Sequence, residues 1–189
     1  MSTTRTARKM AEQIRIQKTP IWVLVAHRGG AFIFSTPSVL SESARVNPRL
    51  GGGEILELVE RIDHPEGRLK NRDLVSDEPG RVMGRVSSER HAYAVQTDAS
   101  RVVAEHFARV LAEKLRIART QNRFRKVVLV AESRFLGMLR SMLDRPTAVR
   151  VAMTVEKEWA WETLPEIRRH LEPVIGKVQA GLALERRSS

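Results

Sequence analysis

The chain contains no cysteine among its 189 residues. This absence excludes a disulfide scaffold, a cysteine-ligated zinc site, an iron–sulfur cluster and thiol catalysis. Long apolar runs are missing too: the longest, 21–26 and 127–131, fall far short of the roughly 18 residues that a membrane span needs. The first 20 residues lack an apolar signal core. We therefore expect no membrane span and a cytoplasmic protein.

Acidic residues are scarce relative to basic ones. The chain has 33 Lys and Arg against 22 Asp and Glu, which leaves a formal net charge of +11. Such a surplus attracts polyanions, and nucleic acid is the commonest polyanion of the cytosol. Hydrophobic residues make up 42% of the chain, so a folded core is expected beneath this basic surface.

Apolar patterning predicts three strands in the first third of the chain. Residues 22–26 form a continuous apolar run, which is typical of a strand buried on both faces. A second strand at 31–34 follows closely, which favours an antiparallel hairpin. A third is predicted at 55–62, with Leu56, Leu58 and Ile62 on one face and Glu60 interrupting it.

Helical spacing appears in the second half. A long helix is predicted from an N-cap at Asp98 to about Thr120, followed by a buried strand at 126–131. Ser133 is expected to cap a short helix, and residues 149–156 alternate as a strand does. Thr163 and Glu166 have capping-box spacing for a last helix, which Pro173 is expected to interrupt.

These elements predict an α/β domain with a mixed five-stranded sheet and helices on its faces. The order is strand, strand, strand, helix, strand, helix, strand, helix, and three-layer ribonuclease H-like folds have this order. We expect a basic N-terminal arm at 1–19, a domain at 20–172 with a long charged loop at 64–97, and a basic C-terminal tail at 173–189. The arm carries five Lys or Arg and one Glu.

The most specific motif lies in the charged loop, where 71–81 reads NRDLVSDEPGR. Together with segments 22–26, 90–91, 97–98, 105–108, 128–131 and 134–140, it resembles a bacterial family of proteins required for attachment to host cells. The resemblance covers about 21–171. That family is similar to the middle domain of archaeal and eukaryotic peptide-chain release factors. The resemblance implies a ribonuclease H-like core that acts at or near the ribosome.

Two departures from these families bear on chemistry. Release factors carry a Gly-Gly-Gln tip before the first helix, whereas this chain has Ser87-Ser88-Glu89, so peptidyl-tRNA hydrolysis is not expected. The first strand ends in His27-Arg28, where family members often have an acid. A two-metal nuclease needs carboxylates on the central strands, and neither buried strand holds one. We expect no metal and no cofactor.

Basic residues supply the candidate binding site, in two groups. Arginines and lysines spaced by Gly and Pro along the loop could follow a phosphate backbone, Tyr93 could stack on a base, and Arg90-His91 could bind a phosphate. The loop candidates are Arg68, Lys70, Arg72, Arg81, Arg85, Arg90, His91 and Tyr93. The denser helix-end group is Lys114, Arg116, Arg119, Arg123, Arg125 and Lys126. Alternatively, the loop cations pair with nearby acids, and part of the second group caps the helix dipole. The three tryptophans are expected to pack on the sheet or cover its end.

The sequence thus predicts a factor that binds the ribosome, ribosomal RNA or tRNA and acts in rescue, hibernation or regulation by occupancy rather than catalysis. One alternative is an interaction protein that promotes attachment at the cell surface. A second is a hydrolase of an RNA or peptidyl-tRNA ester, with His91 as acid or base. The oligomeric state stays open.

Overall fold

A computed structural model describes residues 19–36, 56–68 and 88–187, and for 68, 88–99, 186 and 187 it gives the backbone alone. The strands are β1 (Ile21–His27), β2 (Gly30–Ser35), β3 (Glu57–Asp63), β4 (Lys126–Ala131) and β5 (Val151–Glu156). The helices are α1 (Ser88–Thr120), α2 (Ser133–Met142), α3 (Arg145–Ala148) and α4 (Leu164–Arg187). Two short 3-10 turns span Pro65–Arg68 and Trp159–Trp161.

The five strands form one sheet in the order β3-β2-β1-β4-β5. β2 runs antiparallel to both neighbours, whereas β1, β4 and β5 are parallel to one another. Every strand except β2 therefore points the same way. We call the end where these strands begin the amino-terminal edge and the end where they finish the carboxyl-terminal edge. The predicted α/β class with a mixed five-stranded sheet is confirmed.

Helices cover both faces of the sheet. Phe107 and Leu111 of α1 and Leu139 of α2 share one buried cluster with Trp22 and Leu24. On the other face, α4 contributes its own apolar stripe to a second cluster, which includes Val23, Val25, Ile167, Leu171 and Ile175. β1 is buried along its whole length, which explains why its sequence is a continuous apolar run.

α1 begins at Ser88, ten residues before the predicted N-cap at Asp98, so that prediction is wrong. The apolar periodicity starts only near Ala104, where the helix becomes buried against the sheet. The predicted loop at 64–97 is correspondingly shorter, and its first residues form the turn at 65–68.

Asn122 ends α1 in a Schellman motif. Its φ of 55° lies in the left-handed region, which Asn tolerates better than most residues. The N–H of Asn122 donates to Arg119 O at 3.0 Å, and the N–H of Arg123 donates to Ala118 O at 2.9 Å. The chain then turns directly into β4, which brings the end of α1 to the amino-terminal edge.

A bulge in β3 overturns the predicted single apolar face. Phe34 pairs with Leu58 but its neighbour Ile33 pairs with Glu60, which leaves Val59 as an extra residue. Leu58 therefore packs in the buried cluster on the α4 face of the sheet (the α4 cluster), whereas Ile62 packs in the cluster on the α1 face (the α1 cluster). The period-2 pattern could not reveal this change of face.

The cap of α2 is Glu132 rather than the predicted Ser133. Its carboxylate accepts hydrogen bonds from the backbone N–H groups of Arg134 (2.8 Å) and Phe135 (3.1 Å). The Ser133 hydroxyl instead donates to Glu156 at 2.7 Å, which ties the start of α2 to the end of β5.

α4 has the predicted capping box but not the predicted break. Both the N–H and the hydroxyl of Thr163 donate to Glu166, at 2.9 and 2.6 Å. Pro173 lies inside the helix, which continues to Arg187. The buried stripe also continues past the proline, with Ile175 and Val178, so packing offsets the lost backbone hydrogen bond.

Candidate nucleic-acid interface

The structure describes all six of the predicted helix-end cations: Lys114, Arg116, Arg119, Arg123, Arg125 and Lys126. The other candidates precede them in the chain. Four of these lie outside the described residues: Lys70, Arg72, Arg81 and Arg85. Four more have only their backbone described: Arg68, Arg90, His91 and Tyr93. The last three lie in α1 rather than in a loop, and their binding roles stay predictions.

Two of the helix-end cations on α1 are paired with carboxylates. Lys114 contacts Glu60 of β3 at 2.5 Å, so the acid that interrupts the apolar pattern of β3 serves to anchor α1. Arg116 binds Glu113 with two hydrogen bonds, at 2.7 and 2.6 Å. These bonds raise the pKa of Arg116 and lower that of Glu113. Pairing of this kind leaves less charge for a phosphate than the sequence suggested.

The Arg119 side chain is also bound by partners within the protein. Its Nη2 lies 3.0 Å from Asp144, and its Nε donates to the Thr147 hydroxyl at 2.9 Å. The side-chain hydrogen bond from Thr147 and then the charge of Arg119 hold the pKa of Asp144 below its ordinary value. This arginine therefore fastens the end of α1 to the α2–α3 connection.

The remaining helix-end cations lie at the amino-terminal edge, where two arginines near the start of β5 also lie. We name this group the amino-edge cluster: Arg123, Arg125, Lys126, Arg145 and Arg150. The guanidinium of Arg123 lies over the Trp22 ring, 5.1 Å from its centroid. Arg150 donates to the carbonyls of Phe124 and Arg125 at 3.2 and 3.3 Å, and Lys126 contacts Val149 O at 3.5 Å.

Few acids oppose this cluster. Within the described ranges, Arg123, Lys126, Arg145 and Arg150 have no carboxylate at salt-bridge distance. The exposed Glu57 lies at the same edge, at the start of β3. Arg123, Lys126 and Arg150 contact backbone carbonyls and an aromatic face, which do not neutralise their positive charge.

The predicted N-terminal arm joins the fold at this edge. The N–H of Arg125 donates to Pro20 O at 3.0 Å, so the chain enters β1 directly beside the cluster. The sequence before Pro20 is itself rich in Lys and Arg. The chain thus enters the fold beside the cluster at Pro20, and the predicted arm before residue 19 lies outside the described residues.

Sequence reasoning missed a second polar site, at the carboxyl-terminal edge. His27 ends β1 and is 5% exposed, and its ring lies 3.8 Å from that of Trp161. Trp22 packs in the core as expected, but Trp161 is 56% exposed. No periodic signal could have located it, because it lies in a single 3-10 turn between β5 and α4.

In the part of the chain that the structure describes, no three His, Asp or Glu side chains are grouped so that they could hold a metal ion. No described helix combines the length and the apolar character needed to cross a membrane.

A family model described as "Protein required for attachment to host cells" matches residues 22–171. The chain belongs to this family. The resemblance predicted from its motifs is thus confirmed over most of the chain. The matched range of the chain runs from β1 into α4 and includes both edges of the sheet.

Solved structures show distant likenesses. One is an archaeal translation termination factor, aRF1, at 12% identity and a TM-score of 0.36, covering 90% of this chain and 42% of that one. Another is described as an archaeal protein, at 13% identity and a TM-score of 0.34, covering 95% and 44%. The present chain thus spans less than half the length of either of these two proteins. No curated protein matches it.

Proposed function

We propose that this host-attachment family member is an RNA-associated factor that binds ribosomal RNA or tRNA and acts on ribosomes by occupancy, in rescue, hibernation or regulation. The observation that carries the proposal is the amino-edge cluster, where Arg123, Lys126, Arg145 and Arg150 lie at one end of the sheet and, among the described residues, have no carboxylate at salt-bridge distance. The net charge of +11 supports it, because a polyanion is the partner that such a surplus attracts.

The cluster is suited to phosphate binding because part of it is held in place. Stacking on Trp22 restrains Arg123, and the carbonyls of Phe124 and Arg125 restrain Arg150. A guanidinium that is already positioned loses little side-chain entropy when it binds a phosphate, and its planar fork matches two phosphate oxygens. Lys126 and Arg145 extend the positive surface along the same edge.

We also infer that the domain is ribonuclease H-like. The mixed sheet with a leading antiparallel hairpin, and the order of strands and helices, support this assignment. The central strands hold no carboxylate, and this composition favours binding over metal-dependent cleavage.

The proposal predicts a steep salt dependence of RNA binding, because each neutralised phosphate releases counterions. With about five phosphate contacts, the logarithm of the association constant should fall with the logarithm of the salt concentration at a slope of about −3 to −5. Fluorescence anisotropy with labelled ribosomal RNA fragments measures this slope, and sucrose-gradient sedimentation of lysate at low salt tests ribosome association. Absence from every ribosomal fraction contradicts the ribosomal role.

A matched pair of charge variants tests the location. Arg123→Gln, Lys126→Gln and Arg145→Gln together remove three cations from the amino-edge cluster. The control removes three exposed cations from the outer helix surfaces: Arg109→Gln, Arg169→Gln and Lys177→Gln. We expect the edge variant to lose about tenfold or more in RNA affinity at moderate salt, and the control clearly less. Equal losses mean that only the overall charge matters, which refutes an edge site.

One observation favours a second candidate function: the family is described by attachment to host cells. Under this alternative the chain is an interaction protein at the cell surface. Labelling intact cells with a membrane-impermeant reagent separates the two. Protection from the reagent argues against direct attachment, whereas labelling comparable to that of a known surface protein favours it.

A further inference from the structure

Two adjoining cavities open at the carboxyl-terminal edge, at the opposite end of the strands from the amino-edge cluster. One, of about 380 Å³, lies on the β2 side and is lined by Phe32, Asp63 and Trp161 among others. The other, of about 400 Å³, lies on the α2 side and is lined by Arg28 and Arg134 among others. His27 lines both cavities, so they adjoin at the end of β1, and we refer to the two together as the cleft.

Trp161 provides a rigid aromatic platform in this cleft. The indole packs against the buried His27 ring with the two planes tilted by 34°, and its Nε1 donates to Glu158 at 2.9 Å. More than half of the side chain is nevertheless exposed. An exposed aromatic ring that is already fixed can stack on a planar ligand at little entropic cost.

The β2-side cavity matches a nitrogen heterocycle. Phe32 and Trp161 give it apolar walls, and Arg61 lies over the Phe32 ring at 5.7 Å from its centroid. The carboxylates of Asp63 and Glu162 are also in its lining. Asp63 lies 3.4 Å from Arg61 and Glu162 lies 3.1 Å from His170, but a carboxylate has acceptor sites for more than one partner and can also accept from the N–H groups of a base. Its volume exceeds that of a single base, so the ligand can extend toward His27.

The α2-side cavity matches an anion. Three arginines line it: Arg28, Arg101 and Arg134. Its two carboxylates are both engaged, since Glu132 caps α2 and Glu158 holds the Trp161 indole. Arg101 is itself paired with Glu105 at 3.7 Å, so Arg28 and Arg134 are the groups that we expect a ligand phosphate to meet.

His27 lies between the two cavities, and a hydrogen bond sets the tautomer of its neutral ring. Its Nδ1 accepts the backbone N–H of Gly29 at 2.9 Å, so the neutral ring carries its proton on Nε2. The ring is fixed by this bond and by the stack with Trp161.

We propose that this cleft binds a nucleotide, with the base against Trp161 in the β2-side cavity and the phosphate toward Arg28 and Arg134 in the α2-side cavity. Base and phosphate together are found in a free mononucleotide and in an unstacked nucleotide of single-stranded RNA. The site does not depend on the amino-edge cluster, because the two lie at opposite ends of the sheet.

NMR of the indole N–H signals tests the base position in the intact chain. The chain has three tryptophans, and we expect millimolar AMP or GMP to shift the Trp161 signal and leave that of the buried Trp22 unchanged. A short single-stranded RNA is titrated in parallel. A shift with mononucleotides identifies a free nucleotide as a ligand, and a shift with the RNA alone identifies an RNA nucleotide. No shift of Trp161 with either ligand overturns the proposal.

Variants test the two halves separately by calorimetry. Trp161→Ala should weaken binding about tenfold or more, whereas Trp161→Phe should keep most of it. Trp159→Phe is the control, because Trp159 stacks on His170 outside the cleft lining.

Arg134→Gln should weaken AMP binding while leaving adenosine binding unchanged, so the ratio of the AMP affinity to the adenosine affinity falls. Full binding by Trp161→Ala, or equal losses for AMP and adenosine, overturns the proposed orientation. The triple amino-edge variant should bind AMP normally, which separates this site from the RNA interface.

Discussion

Among single residues, Thr147 connects more of the structure than its size suggests. It is completely buried, and its hydroxyl accepts the Nε–H of Arg119 at 2.9 Å. It also lowers the pKa of Asp144, which lies beside the same arginine. One hydroxyl thus satisfies a half-buried cation and stabilises its counterion.

We expect Thr147→Val to destabilise the protein by about 1–2 kcal/mol at neutral pH. The shape of the side chain is kept, but Arg119 Nε loses its acceptor. Urea denaturation measures the loss. Thr154→Val, at an exposed position of β5, is the control and should change stability little.

The pH dependence of this variant follows from Asp144. Because the pKa of Asp144 is lowered in the folded state, its stabilising contribution is full above the unfolded-state pKa and is lost as the pH falls through the folded-state pKa. In Thr147→Val the Asp144 pKa should move up toward its ordinary value. The stability difference between the two proteins should therefore shrink in acid, and a constant difference down to pH ~2 contradicts this linkage.

Arg119 also shows why the candidate site was only partly predictable. A run of basic residues at the end of a helix predicts a phosphate surface. The partners that neutralise Lys114 and Arg119 are 54 and 25 residues away in sequence, so only the fold brings them together. Arg123 and Lys126 are not neutralised in this way, because their near neighbours are an aromatic ring and a carbonyl, and their role in binding stays a prediction.

Among the elements, α4 shows how core burial outweighs a local helix breaker. Proline inside a helix removes one hydrogen bond and disfavours the preceding turn, which is why the sequence predicted an interruption. Ile175, two residues beyond Pro173, is completely buried in the α4 cluster. The residues after the proline are therefore part of the folded domain and not a separate tail.

Truncation of Ile175 tests this conclusion. Ile175→Ala should destabilise the protein by about 2–5 kcal/mol, the usual effect of removing a buried aliphatic side chain. Leu184→Ala, in the same helix but 64% exposed, should have little effect. Chemical denaturation compares the two. Similar small effects at both positions are inconsistent with a packed second half of α4.

Most of the sheet was predictable, and the exceptions share one cause. The strands were located within a residue or two, because burial on one or both faces leaves a period that the sequence shows. The bulge at Val59 depends on pairing with β2, and the Ser133 hydroxyl, expected to cap α2, instead binds Glu156, 23 residues away. Local pattern carries no information about such partners.

At the scale of the whole molecule, the net charge of +11 makes stability sensitive to the surrounding ions. Like charges repel one another in the compact state, and a bound polyanion relieves this repulsion. An RNA ligand present at about 100 times its Kd adds about 2.7 kcal/mol of stability. For a chain of this length that corresponds to a rise in Tm of about 5–10 °C.

Thermal denaturation with and without RNA measures this rise. It should be largest at low salt and disappear as salt weakens binding. The triple amino-edge variant should show a clearly smaller rise than the variant with substitutions at Arg109, Arg169 and Lys177. An unchanged Tm at saturating RNA is incompatible with the proposed interface.

The two candidate sites are separated by the length of the strands, about 20 Å for six or seven residues. Occupation of one edge therefore leaves the other open. A ligand at the carboxyl-terminal edge could act on RNA at the amino-terminal edge only through the sheet between them.

Gly67 fixes the turn at 65–68 against the hairpin that joins β1 to β2. A Cβ at this position would meet the carbonyl oxygen of Arg28 at 1.8 Å, and the His64 Nδ1 lies 2.7 Å from that same oxygen. Any larger residue at 67 would push the hairpin tip, and with it Arg28, outward. Gly67 thus helps to set the position of the hairpin tip that carries Arg28, although it lines neither cavity of the proposed nucleotide site.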